Sequence, residues 1–146
     1  FVMDQVRKRV PSEVLKRGYS DEELGHIYEL ARLMLENGDV HKAEGILHGI
    51  NQIAPDYAAA WLGMTYVHFV NNNTESAVLA ARLALKADPS MSQALLALIA
   101  GLMSLGDYNS AGTHLGEVGE KIESGVVDDP RVIRFYRAQL ARYQSR

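Results

Sequence analysis

The sequence contains no cysteine. That rules out a disulfide framework and a thiolate metal site, and it favours a reducing compartment. No apolar run approaches the roughly 20 residues that a membrane-spanning helix needs. Basic side chains are scarce through the body of the chain. Residues 18–129 carry five basic and sixteen acidic groups, net −11, which would repel a phosphate backbone. No serine or aspartate sits in a local arrangement with a base, so nothing marks a nucleophile. The glycines Gly112, Gly116 and Gly119 make no phosphate loop, because no strand precedes them and no Lys-Ser/Thr follows. His41, Glu44 and His48 can share one side of a helix. The histidines stand two turns apart, however, and a metal needs at least three converging ligands. The expectation is a non-enzyme without metal or cofactor. No secretory signal is visible, and opening on Phe1 instead of methionine reads as a trimmed start.

Proline is also sparse, and its placement is informative. Of four prolines, Pro55 and Pro89 stand 34 residues apart. The stretch between them starts with Trp61-Leu62-Gly63-Met64 and continues through Ala77, Ala81 and Ala84. Moving 34 residues upstream gives Ile27, Leu30, Ala31, Met34, Ala43, Leu47 and Pro55. Moving 34 downstream gives Leu95, Leu98, Ile99, Leu102, Ala111 and Leu115. Turn residues keep the same step, at Gly38-Asp39, Asn72-Asn73 and Gly106-Asp107. An aromatic early, alanines in the second half and a closing proline at this period resemble the tetratricopeptide repeat. Each marker has a cause. Gly or Asn ends a helix because it tolerates the left-handed backbone. Asp39, Asn73 and Asp107 can cap the helix that follows. Ala43, Ala77 and Ala111 are small where two antiparallel helices approach closely.

The apolar share of 47% fits a folded globular chain. The predicted architecture is all-α, with three helix-turn-helix repeats in a right-handed superhelix. An N-terminal helical extension occupies 1–19 and the repeat domain 20–146. The repeats run about 24–57, 58–91 and 92–125, with a capping helix at 129–144. Ser20-Asp21-Glu22-Glu23 is a capping box opening the first helix, which runs to about Glu36. The third repeat opens at Ser90, and its second helix ends at Gly125. Asp129-Pro130 starts the last helix, which carries Val132, Phe135, Tyr136, Leu140 and Tyr143 to cover the open end of the stack. In the extension, Val2, Val6 and Val10 share a face, Pro11 interrupts it and Ser12 can cap a short second helix. That face is a candidate for self-association into a homodimer.

Charge separates the ends from the body. Residues 1–17 are net +3 and residues 130–146 net +5. The basic ends either lie on the acidic body or dock on an acidic partner or a second copy. Arg131, Arg134 and one of Arg137 and Arg142 could form a basic stripe, but the acidic body argues against nucleic acid. Glycines at 45, 49, 112, 116 and 119 fall inside second helices. They mark either close helix packing or helices that stay loose until a partner binds.

First helices of such units line an inner wall. The expected partner-binding residues there are Tyr28, Arg32, Leu62, Tyr66, Phe69, Val70, Leu96, Ala100 and Met103. This wall is more apolar than a solvated surface needs, which marks an interaction site for a peptide with apolar anchors. Repeats that clamp the carboxylate end of a heat-shock protein need Lys, Arg and Asn here. Tyr28, Gly63, Gln93 and Ala97 stand in those places, with Arg32 the lone cation.

Three units, a helical extension, a lengthened final helix and one capping helix resemble the class II chaperones of bacterial type III secretion. The stretch from Leu24 to Ala43, with Tyr28, Leu30, Ala31 and Gly38-Asp39, is similar to their first repeat. Trp61-Leu62-Gly63-Met64 is similar to the second, and Leu105-Gly106-Asp107-Tyr108 with Ala111 to the third. The resemblance implies a cytoplasmic bacterial protein that holds an export substrate, a translocator or a needle component in its concave groove. It also implies dimers formed through the N-terminal helix. The alternative is a constitutive scaffold or adaptor subunit of a multiprotein complex.

Overall fold

A computed structural model describes residues 18–146. The extension at 1–17, with its Val2, Val6 and Val10 face, the Pro11 break and the Ser12 cap, lies outside the described residues, as does the self-association expected of it. Seven helices follow one another among the described residues: α1 (Asp21–Glu36), α2 (Val40–Ile53), α3 (Ala58–Val70), α4 (Thr74–Ala87), α5 (Ser92–Ser104), α6 (Tyr108–Glu123) and α7 (Pro130–Gln144).

The helix ends show why the chain breaks where it does. Ser20 caps α1 reciprocally: its Oγ accepts from the Glu23 backbone N–H at 3.0 Å, and its own N–H donates to Glu23 Oε1 at 2.8 Å. The Ser20 backbone N–H, and after it the Ser20 hydroxyl, hold the Glu23 carboxyl below the usual range. Gly38, Asn72 and Gly106 all have positive φ, at 83°, 62° and 87°. They reverse the chain within each pair, where a β-branched residue would be strained. Asp107 caps α6 by accepting from Ser110 N–H at 3.1 Å. Asp39 and Asn73 hold the same position but make no capping bond. The Asp39 carboxylate turns instead toward Lys42 Nζ, 3.6 Å away. The third pair opens at Ser92 and not at Ser90, because Asp88 ties the Ser90 N–H and hydroxyl into a turn. Asp129 caps α7 through Arg131 N–H at 2.9 Å, with Pro130 in the first turn.

Helices pack in chain order: α1 on α2, α2 on α3, and so on to α7, with α1 also touching α3, α3 touching α5 and α5 touching α7. This is a superhelical array of three helix pairs closed by a seventh helix. Ala43, Ala77 and Ala111 are fully buried at the close approaches. One core cluster joins Leu24, Leu47, Ile50, Met64 and Val67 across the first two pairs. A larger one joins Leu96, Leu98, Ile99, Leu115 and Val118 to Val132 of α7, with Phe135, Tyr136 and Tyr143 packed on it. Here the glycines split into two groups. A Cβ on Gly112 would meet the Tyr143 hydroxyl at 2.5 Å, and one on Gly119 the Tyr136 hydroxyl at 2.8 Å, so α7 sits where only glycine leaves room. Gly45, Gly49 and Gly116 have nothing within 4 Å of an added Cβ.

Candidate aromatic wall

The wall formed by α1, α3 and α5 carries the residues singled out from the sequence. Their surroundings differ more than the repeat suggests. Tyr28, Tyr66 and Phe69 are half-buried, and Arg32 and Val70 are exposed, Val70 to 64%. Leu62, Leu96 and Met103 are core residues with almost no accessible surface. Consecutive first helices pack closely enough that Leu62 clusters with Ala94 and Ala97 of α5. Leu96 and Met103 belong to the core that α7 completes. These three support the wall from beneath and offer no surface of their own.

The surface itself is aromatic. Tyr28 packs edge-on against Tyr57, with ring centroids 6.1 Å apart and planes at 68°. Burial pushes the Tyr28 hydroxyl up in pKa, with the Tyr57 phenol adding to it. Burial does the same to Tyr66, with Tyr28 as the second cause. Phe69 reaches toward α5, where its ring lies 3.5 Å from the place a Cβ on Gly101 would occupy. The same Cβ would meet Val78 Cγ2 of α4 at 2.6 Å, so Gly101 makes room for Val78 while the Phe69 ring lies in ordinary contact beside it.

The single cation of the wall is already engaged. Arg32 donates from Nε to Glu29 Oε1 at 2.9 Å and from Nη1 to Glu36. Both carboxylates share its own helix face, so Arg32 sits in a cluster of net charge −1 and is not a free carboxylate receptor. At the other end, Arg142 of α7 reaches back over α5. Its Nη1 donates to the Ala100 carbonyl at 3.3 Å and its Nη2 to Ser104 Oγ at 2.8 Å. Ala100 thus sits beneath a side chain of the closing helix, and the accessible strip runs from Tyr28 to Val70.

Sequence reasoning missed Tyr57 and Arg142 here. Tyr57 precedes α3, outside the 3.6-residue pattern, and only its place after Pro55-Asp56 marked it. Arg142 read as a candidate for a basic stripe; it stays exposed but lies back over α5, and Arg131 leans on Asp129 at 3.3 Å. Among the described residues no group of three or more metal-capable side chains converges, and no helix is long and apolar enough to cross a membrane.

No curated protein matches the sequence. Residues 34–99 match the tetratricopeptide repeat family. Among solved structures, the type III secretion translocator chaperone SycD of Yersinia enterocolitica superposes with a TM-score of 0.75 at 14% identity, covering 87% of this chain and 85% of that one. PcrH, solved in complex with the chaperone binding region of PopD, superposes at 0.73 with 16% identity, covering 88% and 93%. The Sgt2 repeat domain of Aspergillus fumigatus superposes at 0.68 with 18% identity, covering 84% and 80%. At these identities the likeness is one of fold: an all-helical repeat array.

Proposed function

We propose that this tetratricopeptide repeat array is a chaperone of bacterial type III secretion, holding an export substrate or translocator along the wall formed by α1, α3 and α5. The observation that carries the reading is the strip of half-buried Tyr28, Tyr66 and Phe69 running out to exposed Val70. Such a strip suits apolar anchors of an extended or helical client segment. Arg32 is engaged by Glu29 and Glu36, so the strip selects apolar side chains over a terminal carboxylate. The units at about 24–57 and 58–91 supply the aromatic strip, and the helix at 129–144 closes the array. The likeness to two chaperones of such systems, one bound to a region of its translocator, supports the same reading.

The mechanism is sequestration in the bacterial cytoplasm, with binding and release and no covalent step. An aggregation-prone client segment exchanges water for the aromatic strip and is held until export. Affinity purification of the tagged chain from its source organism, with the eluate identified by mass spectrometry, tests this. A type III export substrate that is released on dilution is the expected result. Recovery of structural subunits alone, in fixed stoichiometry and resistant to high salt, would make the chain a constitutive scaffold.

A further inference from the structure

Each first helix after α1 is covered along one edge by the second helix that precedes it. A Cβ on Gly63 of α3 would meet Leu47 Cδ2 of α2 at 2.9 Å, and one on Gly101 of α5 would meet Val78 Cγ2 of α4 at 2.6 Å. Val67, one step of 34 before Gly101, is fully buried in the cluster that Leu47 and Ile50 of α2 share. The same edge of α1 carries Glu29, one step before Gly63, and Leu33, two steps before Gly101. Leu33 is 48% exposed, because no helix precedes α1 among the described residues. One edge of the first unit therefore lacks the cover that the repeat supplies everywhere else. The inference drawn from it does not depend on the chaperone reading.

Chain connectivity names the occupant. The place that α2 holds before α3 falls, one step of 34 earlier, on residues 6–19. Nearly all of that stretch belongs to the extension at 1–17, which residues 18–20 alone separate from the start of α1 at Asp21. Val10 stands two steps before Val78, as Leu33 stands two before Gly101, so the period sets the one against the other. The reach is sufficient. Leu33 lies about 18 Å along the axis from Asp21 at 1.5 Å per helical residue. The stretch from Val10 to Asp21 covers that with slack once part of it is extended, at about 3.3 Å per residue. A tether this short also holds the segment near α1 at an effective concentration on the order of millimolar.

Chemistry agrees with connectivity. The segment supplies Val2, Val6 and Val10 for an apolar edge and carries net charge +3, whereas α1 holds five acidic side chains and one basic. We propose that residues 1–17 fold back on their own chain and cover the Leu33 edge of α1, valines inward and basic side chains toward the α1 carboxylates. The segment does not complete a fourth helix pair. Glu13 and Lys16 stand where Leu47 and Ile50 fill the core of the first unit, and Pro11 interrupts the stretch. It is a tethered cover, held by a few apolar contacts and by charge, and it keeps Leu33 from a second copy of the chain.

The absence of cysteine makes the test clean, because Leu33→Cys in the full chain carries a single thiol. Its rate of reaction with a maleimide-labelled polyethylene glycol is measured with the native segment and with Val2→Ser, Val6→Ser and Val10→Ser added together. These serines leave the charge unchanged. The serine variant should react about ten-fold faster, as expected if the native segment is docked roughly nine-tenths of the time. The native rate should not change on dilution. Leu79→Cys, on α4 at a side chain 63% exposed, is the control and should react at one rate in both backgrounds. Equal rates at position 33 with and without the valines would overturn the proposal. Protection that disappears on dilution would also overturn it, by putting a second copy on this edge. So would an equal acceleration at position 79, which would mean that the serines loosen the whole array.

Discussion

The first and third units hold equivalent residues in different surroundings. Leu30 and Leu98 are two repeats apart, yet Leu30 is 49% exposed and Leu98 only 2%. Leu33 is likewise half-exposed, whereas its counterpart in the second unit, Val67, is fully buried. In an array each unit is covered by its neighbours, so the repeat position sets the direction of a side chain and the neighbour sets its burial. At the C-terminal end α7 supplies the neighbour, through Val132, Phe135, Tyr136 and Tyr143. The units therefore divide the labour. The last one anchors stability, and the first two present half-buried aromatic surface.

The largest expected effect tests that division directly. Leu98→Ala should destabilise the chain by about 2–5 kcal/mol, as truncations of buried leucine do. Leu30→Ala at the equivalent place should cost no more than about 1 kcal/mol. Urea denaturation of both variants checks the contrast, and equal losses would break it. Next come the glycines. Gly112→Ala places a methyl against the Tyr143 ring and should cost about 1–3 kcal/mol by displacing α7. Gly49→Ala, in open space, should stabilise by up to about 1 kcal/mol through helix propensity. Opposite signs in thermal melts are the outcome to look for.

Asn51 sharpens the same comparison. It is 7% exposed in α2, and neither atom of its amide has a partner among the described residues. The repeat places Leu85 and Gly119 at its position. Asn51→Leu should stabilise the chain by about 1 kcal/mol or more, the scale of an unsatisfied buried amide. A loss of stability would mean that the amide has a role the fold alone does not require.

The smallest effect is at high pH. Burial raises the hydroxyls of Tyr28, Tyr57 and Tyr66, so folding favours their neutral form. Their contribution is complete below the ordinary tyrosine pKa of about 10 and is lost as pH rises through the folded-state values. Absorbance titration should show three of the seven tyrosines ionising late. In Tyr28→Phe with Tyr66→Phe, the alkaline loss of stability should shrink.

Much of this was legible in the residues. The period of 34 located all six paired helices, and α2 begins and ends where the turn at Gly38-Asp39 and the proline at 55 require. The capping box and the Asp129-Pro130 start are local signals and appear as such. What the sequence hid was non-local. A repeat pattern says which way Leu62, Leu96 and Met103 point, but not that neighbouring helices and α7 bury them. It marks Asp39 as a cap but not that Lys42 draws its carboxylate away. It shows Arg142 as a surface charge, although a helix 42 residues upstream supplies its acceptor.

The aromatic strip is the centre of the account. Its most direct test is recovery of client by the tagged wild-type chain and by Tyr66→Glu with Phe69→Glu, purified in parallel from the source organism and matched for helical content by circular dichroism. The account predicts that the variant keeps its helicity and loses the client that the wild type retains. Equal recovery from both would contradict it and move client binding off this wall.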